Sequence, residues 1–204
     1  GVQTCALPIS VAGSMPINTV KELIDYAKAN PGKLSYASSG IGSIFHLNGE
    51  NLKLLTGIDM VHVPYKGTAP MATDLVAGRV EVGFPALLNV RPYLAAGKVK
   101  ILAVLEGKRH ADMPQVPALA EVVPGFTKGA SWTGIFGPAA LPRPIVTRMN
   151  QAFLKAMEAP EVREFFDKNG AVAIGGTPED LGRAVERDLQ VMGKLVTTVG
   201  VPKE

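Results

Sequence analysis

The run Ser38-Ser39-Gly40-Ile41-Gly42-Ser43 holds the densest chemical opportunity in this sequence. Glycines and serines at the mouth of a helix leave backbone N–H groups unspent, and the helix dipole adds about half a positive charge there. A carboxylate or a phosphate is the group such a place takes up, and the hydroxyls of Ser38, Ser39 and Ser43 would add donors. The same residues also suit a plain tight turn, with the glycines permitting the bend and Ser43 capping the helix. Spacing alone leaves both readings open. It excludes a nucleotide loop: no Gly-Lys-Ser/Thr follows, and the single Gly-x-Gly lacks the third glycine of a dinucleotide fingerprint.

A second feature is His62-Val-Pro-Tyr-Lys-Gly67. Tyr65 and Lys66 stand just past the C-terminal end of a predicted strand, where open α/β sheets bind ligands; a turn with a solvated lysine and a half-buried tyrosine is the plainer alternative. The three histidines, His46, His62 and His110, form no metal-ligand spacing, and His46 reads as a helix-face residue. No Gly-x-Ser-x-Gly elbow is present, so nucleophilic catalysis has no candidate outside Cys5, discussed below. Asp112, Glu121, Glu179 and Asp180 read as solvated charges and helix-start stabilisers, and Trp132 as a core or cleft-wall residue. No residue pattern requires a cofactor.

The elements that position these residues follow from periodicity. Thr19-Val-Lys-Glu22 has the pattern of a capping box, and Val20, Leu23, Ile24 and Ala27 repeat at helical spacing until Asn30-Pro31-Gly32. Strands are expected over 34–38, 60–63, 80–84 and 99–105, and helices over 44–55, from Thr68 up to Gly78, and over 87–96. This alternation, with short Gly/Pro connections, predicts a parallel sheet with helices on both faces. Residues 106–128 hold three prolines and one short helix, 118–122. Beyond them come a strand over 130–136, a helix from Pro142 with the apolar stripe Ile145, Val146, Met149, Phe153, Leu154 and Met157, a helix over 162–168, a strand over 172–174, and a final helix capped by Thr177.

The chain has 204 residues, 47% hydrophobic and 19% charged, which excludes a disordered tail. Its 21 basic and 18 acidic residues give a net charge of +3, with no Lys/Arg run, so nucleic acid is not an expected partner. No stretch approaches the ~20 apolar residues of a membrane helix. The opening GVQTCALPIS has neither the basic start nor the apolar stretch of a signal peptide. Back-translated, it matches a sequencing-adapter oligonucleotide, so residues 1–10, with Cys5, are read as an adapter-derived scar. The chain is then expected to be the C-terminal part of something longer.

Taken in order, TVKELIDYAKANPGKLSYASSGIGS, HLNGENLKLLTGIDMVHVPYKG, LVAGRVEVGF, VPALAE, SWTGIFGPAALPRPIV and GGTPEDLG closely resemble the Bug (TctC-like) family. These are periplasmic solute receptors of the tripartite tricarboxylate transporters, and the resemblance runs from about Ser14 to the C-terminus. It implies an α/β, type II periplasmic-binding-protein fold of two Rossmann-like lobes with parallel-rich sheets flanked by helices. Residues 11–103 would form the complete lobe two and 104–204 the C-terminal part of an incomplete lobe one. It further implies a monomeric periplasmic receptor with no enzymatic step and no cofactor. A small organic carboxylate or related solute would lie between the lobes for delivery to a membrane permease.

Carried onto this sequence, the resemblance makes Ser38, Ser39, Gly40, Ile41, Gly42 and Ser43 ligand-binding, with Tyr65 and Phe84 lining the same cleft edge. Two places depart from the family pattern: Pro85-Ala86 stands where members often have Asp-Asn, and Leu105-Glu106 where a Thr-Ser pair is common. A less polar carboxylate than citrate is the resulting expectation. The ligand-sensing half of a LysR-type regulator, which shares the bilobed architecture, is the alternative. An enzyme on a related fold would need a nucleophile or base that the cleft motifs do not offer.

Overall fold

A computed structural model describes residues 3–128, 132–168 and 171–200. The chain runs β1 (Gln3–Cys5), β2 (Pro8–Ala12), α1 (Val20–Ala29), β3 (Leu34–Ser38), α2 (Ile44–Thr56), β4 (Met60–Pro64), α3 (Thr68–Val76), β5 (Val82–Gly83) and α4 (Leu87–Leu94). It continues with β6 (Val99–Val104), α5 (Leu119–Val122), β7 (Trp132–Thr133), α6 (Arg143–Met157), α7 (Pro160–Lys168), β8 (Ala171–Ala173) and α8 (Pro178–Val199). Two compact units result, one from Gly1–Cys5 with Ala130–Met192 and the other from Ala6–Gly129 with Gly193–Glu204. The chain passes between them at residues 5–6, 129–130 and 192–193, and α5 and the proline-rich stretch before it pack on the larger unit: Val104 donates its amide to the Pro117 carbonyl, and Leu119 and Val123 join its core.

The larger unit is a five-stranded sheet in the order β4-β3-β5-β2-β6. β3 runs parallel to β4 and β5, as the alternating pattern predicts; β2 pairs antiparallel with both β5 and β6, which makes the sheet mixed. Neighbouring residues of β3 point to opposite faces. Tyr36 packs with Leu23 and Ala27 of α1 and Leu52 of α2, whereas Ala37 packs with Met71 and Leu75 of α3 and Val90 of α4. Helices therefore cover both faces.

β2 corrects the exclusion of residues 1–10 from the fold. Leu7, Ile9 and Val11 are buried against Tyr36, Val82 and Phe84, and Ser10 is buried beside them. An interior strand covered on both faces shows no polar alternation, and the adapter match sets these residues aside before any strand is sought in them. The strand predicted over 80–84 shortens to two residues, and that over 130–136 to Trp132–Thr133, with 130 and 131 outside the described residues.

The smaller unit carries the antiparallel sheet β7-β1-β8 with α6, α7 and α8. Thr177 caps α8 by accepting the Asp180 amide at 3.1 Å. The apolar stripe of α6 stays largely open: Ile145, Met149 and Phe153 are exposed, and an apolar hollow is lined by Phe136, Leu141, Met149, Phe153 and Leu181.

Candidate functional site

The end of β3 and the start of α2 frame the six-residue loop. Strand pairing sets Ser38 opposite Pro64, and the Tyr65 amide then donates to the Ser38 carbonyl at 2.9 Å. This brings the Tyr65 backbone beside Gly40, where an added Cβ would lie 3.6 Å from the Tyr65 oxygen. α2 is held close to β3 by Gly49, whose place a Cβ could take only by coming within 2.3 Å of the Tyr36 ring. Gly40 (φ 137°) and Gly42 (φ 72°) occupy backbone conformations that side chains disfavour.

The loop spends some of its donors on itself. The Gly40 amide donates to Ser38 Oγ at 3.1 Å, the Ser43 amide to the Gly40 carbonyl at 3.2 Å, and the Gly42 amide to His46 Nδ1 at 3.1 Å. Ser43 caps α2 by accepting from the His46 amide at 3.3 Å. The amides of Ser39, Ile41, Ile44 and Phe45 have no hydrogen-bond partner among the described residues. Ile41 is 59% exposed, so this end of α2 meets solvent.

The eight residues expected to bind ligand thus divide. Ser39 and Ile41 offer unspent amides; Gly40, Gly42 and Ser43 shape the loop through bonds of their own. Ser38 is fully buried, its hydroxyl shared between Gly40 and His62. Tyr65 is half-buried and its hydroxyl donates to Asp74 at 2.8 Å. Burial, followed by that bond, pushes the phenol up to about 12. Phe84, just past the interior strand β5, is wholly buried and packs edge-on against Tyr36, at 6.1 Å between ring centres.

Behind the loop lies a cluster that the sequence reading did not assemble. His46 and His62 stack at 4.0 Å, and His62 stacks on Tyr36 at 4.9 Å. His62 Nε2 is 2.7 Å from Ser38 Oγ. The Tyr36 hydroxyl donates to Glu50 at 2.6 Å, and Lys53 bonds the same carboxylate at 3.0 Å. Burial lowers both imidazoles, His62 to about 4, with His46 adding to the effect. The register could have exposed this cluster: pairing Ser38 with Pro64 sets Tyr36 opposite His62, and the third residue of a helix capped by Ser43 is His46. Among the described residues no group of three or more His, Cys, Asp or Glu is placed to hold a metal ion, and no helix is long and apolar enough to cross a membrane.

Residues 2–201 match the family described as tripartite tricarboxylate transporter family receptor. The chain belongs to that family. A curated relative, the UPF0065 protein in the tcbD-tcbE intergenic region of Pseudomonas sp. (strain P51), is 34% identical over 202 residues, which is 93% of this chain and 60% of the relative. Rpa4515 of R. palustris, solved with adipate, is 35% identical with a TM-score of 0.91, covering 98% of this chain and 67% of that one. The periplasmic binding protein BugD is 31% identical with a TM-score of 0.92, covering 100% of this chain and 69% of that one. The chain spans 60% and 62% of the length of two of its curated relatives. Family and fold are those of periplasmic solute-binding proteins, which are not enzymes.

Proposed function

We propose that this chain is the greater part of a periplasmic receptor that captures a small organic carboxylate and delivers it to a tripartite tricarboxylate-type permease. The first turn of α2 grips the acid group. The observation that carries this reading is the set of unspent amides at Ser39, Ile41, Ile44 and Phe45, at the solvent-facing start of a 13-residue helix. Several N–H···O bonds and a helix dipole hold an anion without a full counter-charge, so release breaks no tight ion pair. Membership of the receptor family supports the same reading over a regulator's sensing domain.

The two departures from the family pattern favour a linear, weakly polar acid. Pro85 and Leu105 are buried, and Glu106 Oε1 accepts from Lys128 at 2.7 Å and from the Leu7 amide at 3.1 Å, while its buried Oε2 has no partner among the described residues. The relative solved with adipate holds a linear dicarboxylate. Isothermal titration of the full-length protein against adipate, benzoate and citrate tests the proposal. Adipate is expected to bind more tightly than citrate. A preference for citrate would overturn the specificity, and failure of all three acids would overturn the carboxylate reading.

A further inference from the structure

The stacked imidazoles meet the loop at Gly42 and Ser38, and capture of an acid gives them no role. Gly40 and Gly42 have no intrinsic preference for φ of 137° and 72°, so the loop shape needs outside support. Building on the carboxylate reading, we propose that His46 and His62 are positioning residues: their ring nitrogens pin Gly42 and, through Ser38, Gly40, and so fix the Ile41 amide that lies between.

The bonds define the protonation they need. The Gly42 N–H donates to His46 Nδ1, so that nitrogen must carry a lone pair and the ring must be neutral with its proton on Nε2. The backbone of the same residue donates to Ser43 Oγ, so His46 holds two consecutive loop residues. Ser38 Oγ accepts the Gly40 N–H, and its own proton goes either to His62 Nε2 or to the Gly40 carbonyl at 3.1 Å. Stacking between the rings and onto Tyr36 keeps each imidazole from turning alone.

The charged and titratable neighbours are Tyr36 of β3 and Glu50 and Lys53 of α2. Glu50 is already bonded by Tyr36 and Lys53, and Lys53 stands 5.9 Å above the Tyr36 ring. Glu50 favours an imidazolium but shares Oε1 with Tyr36 and Lys53, and the Lys53 charge opposes it. A proton added to His46 at Nδ1 removes the acceptor of the Gly42 amide, and a second on His62 sets two like charges face to face. Burial delays both events to below the ordinary histidine range.

The test uses the ¹⁵N-labelled full-length protein, with His46→Asn, whose Oδ1 can stand in for Nδ1, and His46→Leu, which leaves no acceptor. In the unsubstituted chain the Gly42 amide is expected to shift, and its hydrogen exchange corrected for intrinsic pH dependence to speed up about tenfold, as His46 titrates. His46→Asn should abolish that step and keep the amide protected. His46→Leu should leave the amide unprotected at every pH and weaken adipate binding about tenfold, with His46→Asn recovering most of the affinity. A Gly42 amide that ignores both the titration and His46→Leu would overturn the proposal, as would unchanged adipate affinity in His46→Leu. Amide responses as expected in a chain that binds no adipate would uphold the positioning and defeat the carboxylate reading instead.

Discussion

Ser38 and Ser43 look alike in the sequence and do different work. Ser43 sits at the surface and caps a helix; Ser38 is buried and ties Gly40 to His62. The cap was legible, because it depends on residues three apart. The buried role was not, because His62 arrives from a strand 24 residues later. The same burial makes the fold sensitive to acid. The unfolded chain protonates His62 near its ordinary value of 6.5, whereas the folded chain does so only at about 4. Between those values the unfolded state binds more protons, so stability falls as pH drops through that window. Urea melts at pH 7.5, 6 and 4.5 are expected to show a falling midpoint, flattened in His62→Gln. A midpoint independent of pH in the unsubstituted chain would contradict the buried, neutral pair.

At the scale of elements, β3 spans the predicted residues 34–38 and α2 begins at the predicted residue 44. Strand alternation, a serine cap and the left-handed Gly57 at the far end are local signals, and local signals survive in a sequence. β5 keeps only two residues because pairing partners, not local pattern, decide where a short strand stops. β2 was missed because the adapter match set residues 1–10 aside; its place depends on β5 and β6 reaching it from far along the chain. Ile9 is fully buried in that strand, so Ile9→Ala should cost about 2–5 kcal/mol in chemical unfolding. A change below about 0.5 kcal/mol would show that β2 does not belong to the folded sheet.

For the molecule as a whole, the α/β class was readable from alternating periodicity and from the family motifs. The proline-rich stretch resembles a crossing segment, yet Ala118, Leu119, Val123 and Phe126 bury themselves on the larger unit and carry the boundary to residue 129. The candidate site lies wholly on that larger unit, between β3 and α2. The most direct test is a crystal structure of the full-length protein with adipate. One carboxylate is expected at about 2.7–3.1 Å from backbone nitrogens among Ser39, Ile41, Ile44 and Phe45. Adipate bound elsewhere, with those nitrogens facing only water, would contradict capture by the helix start.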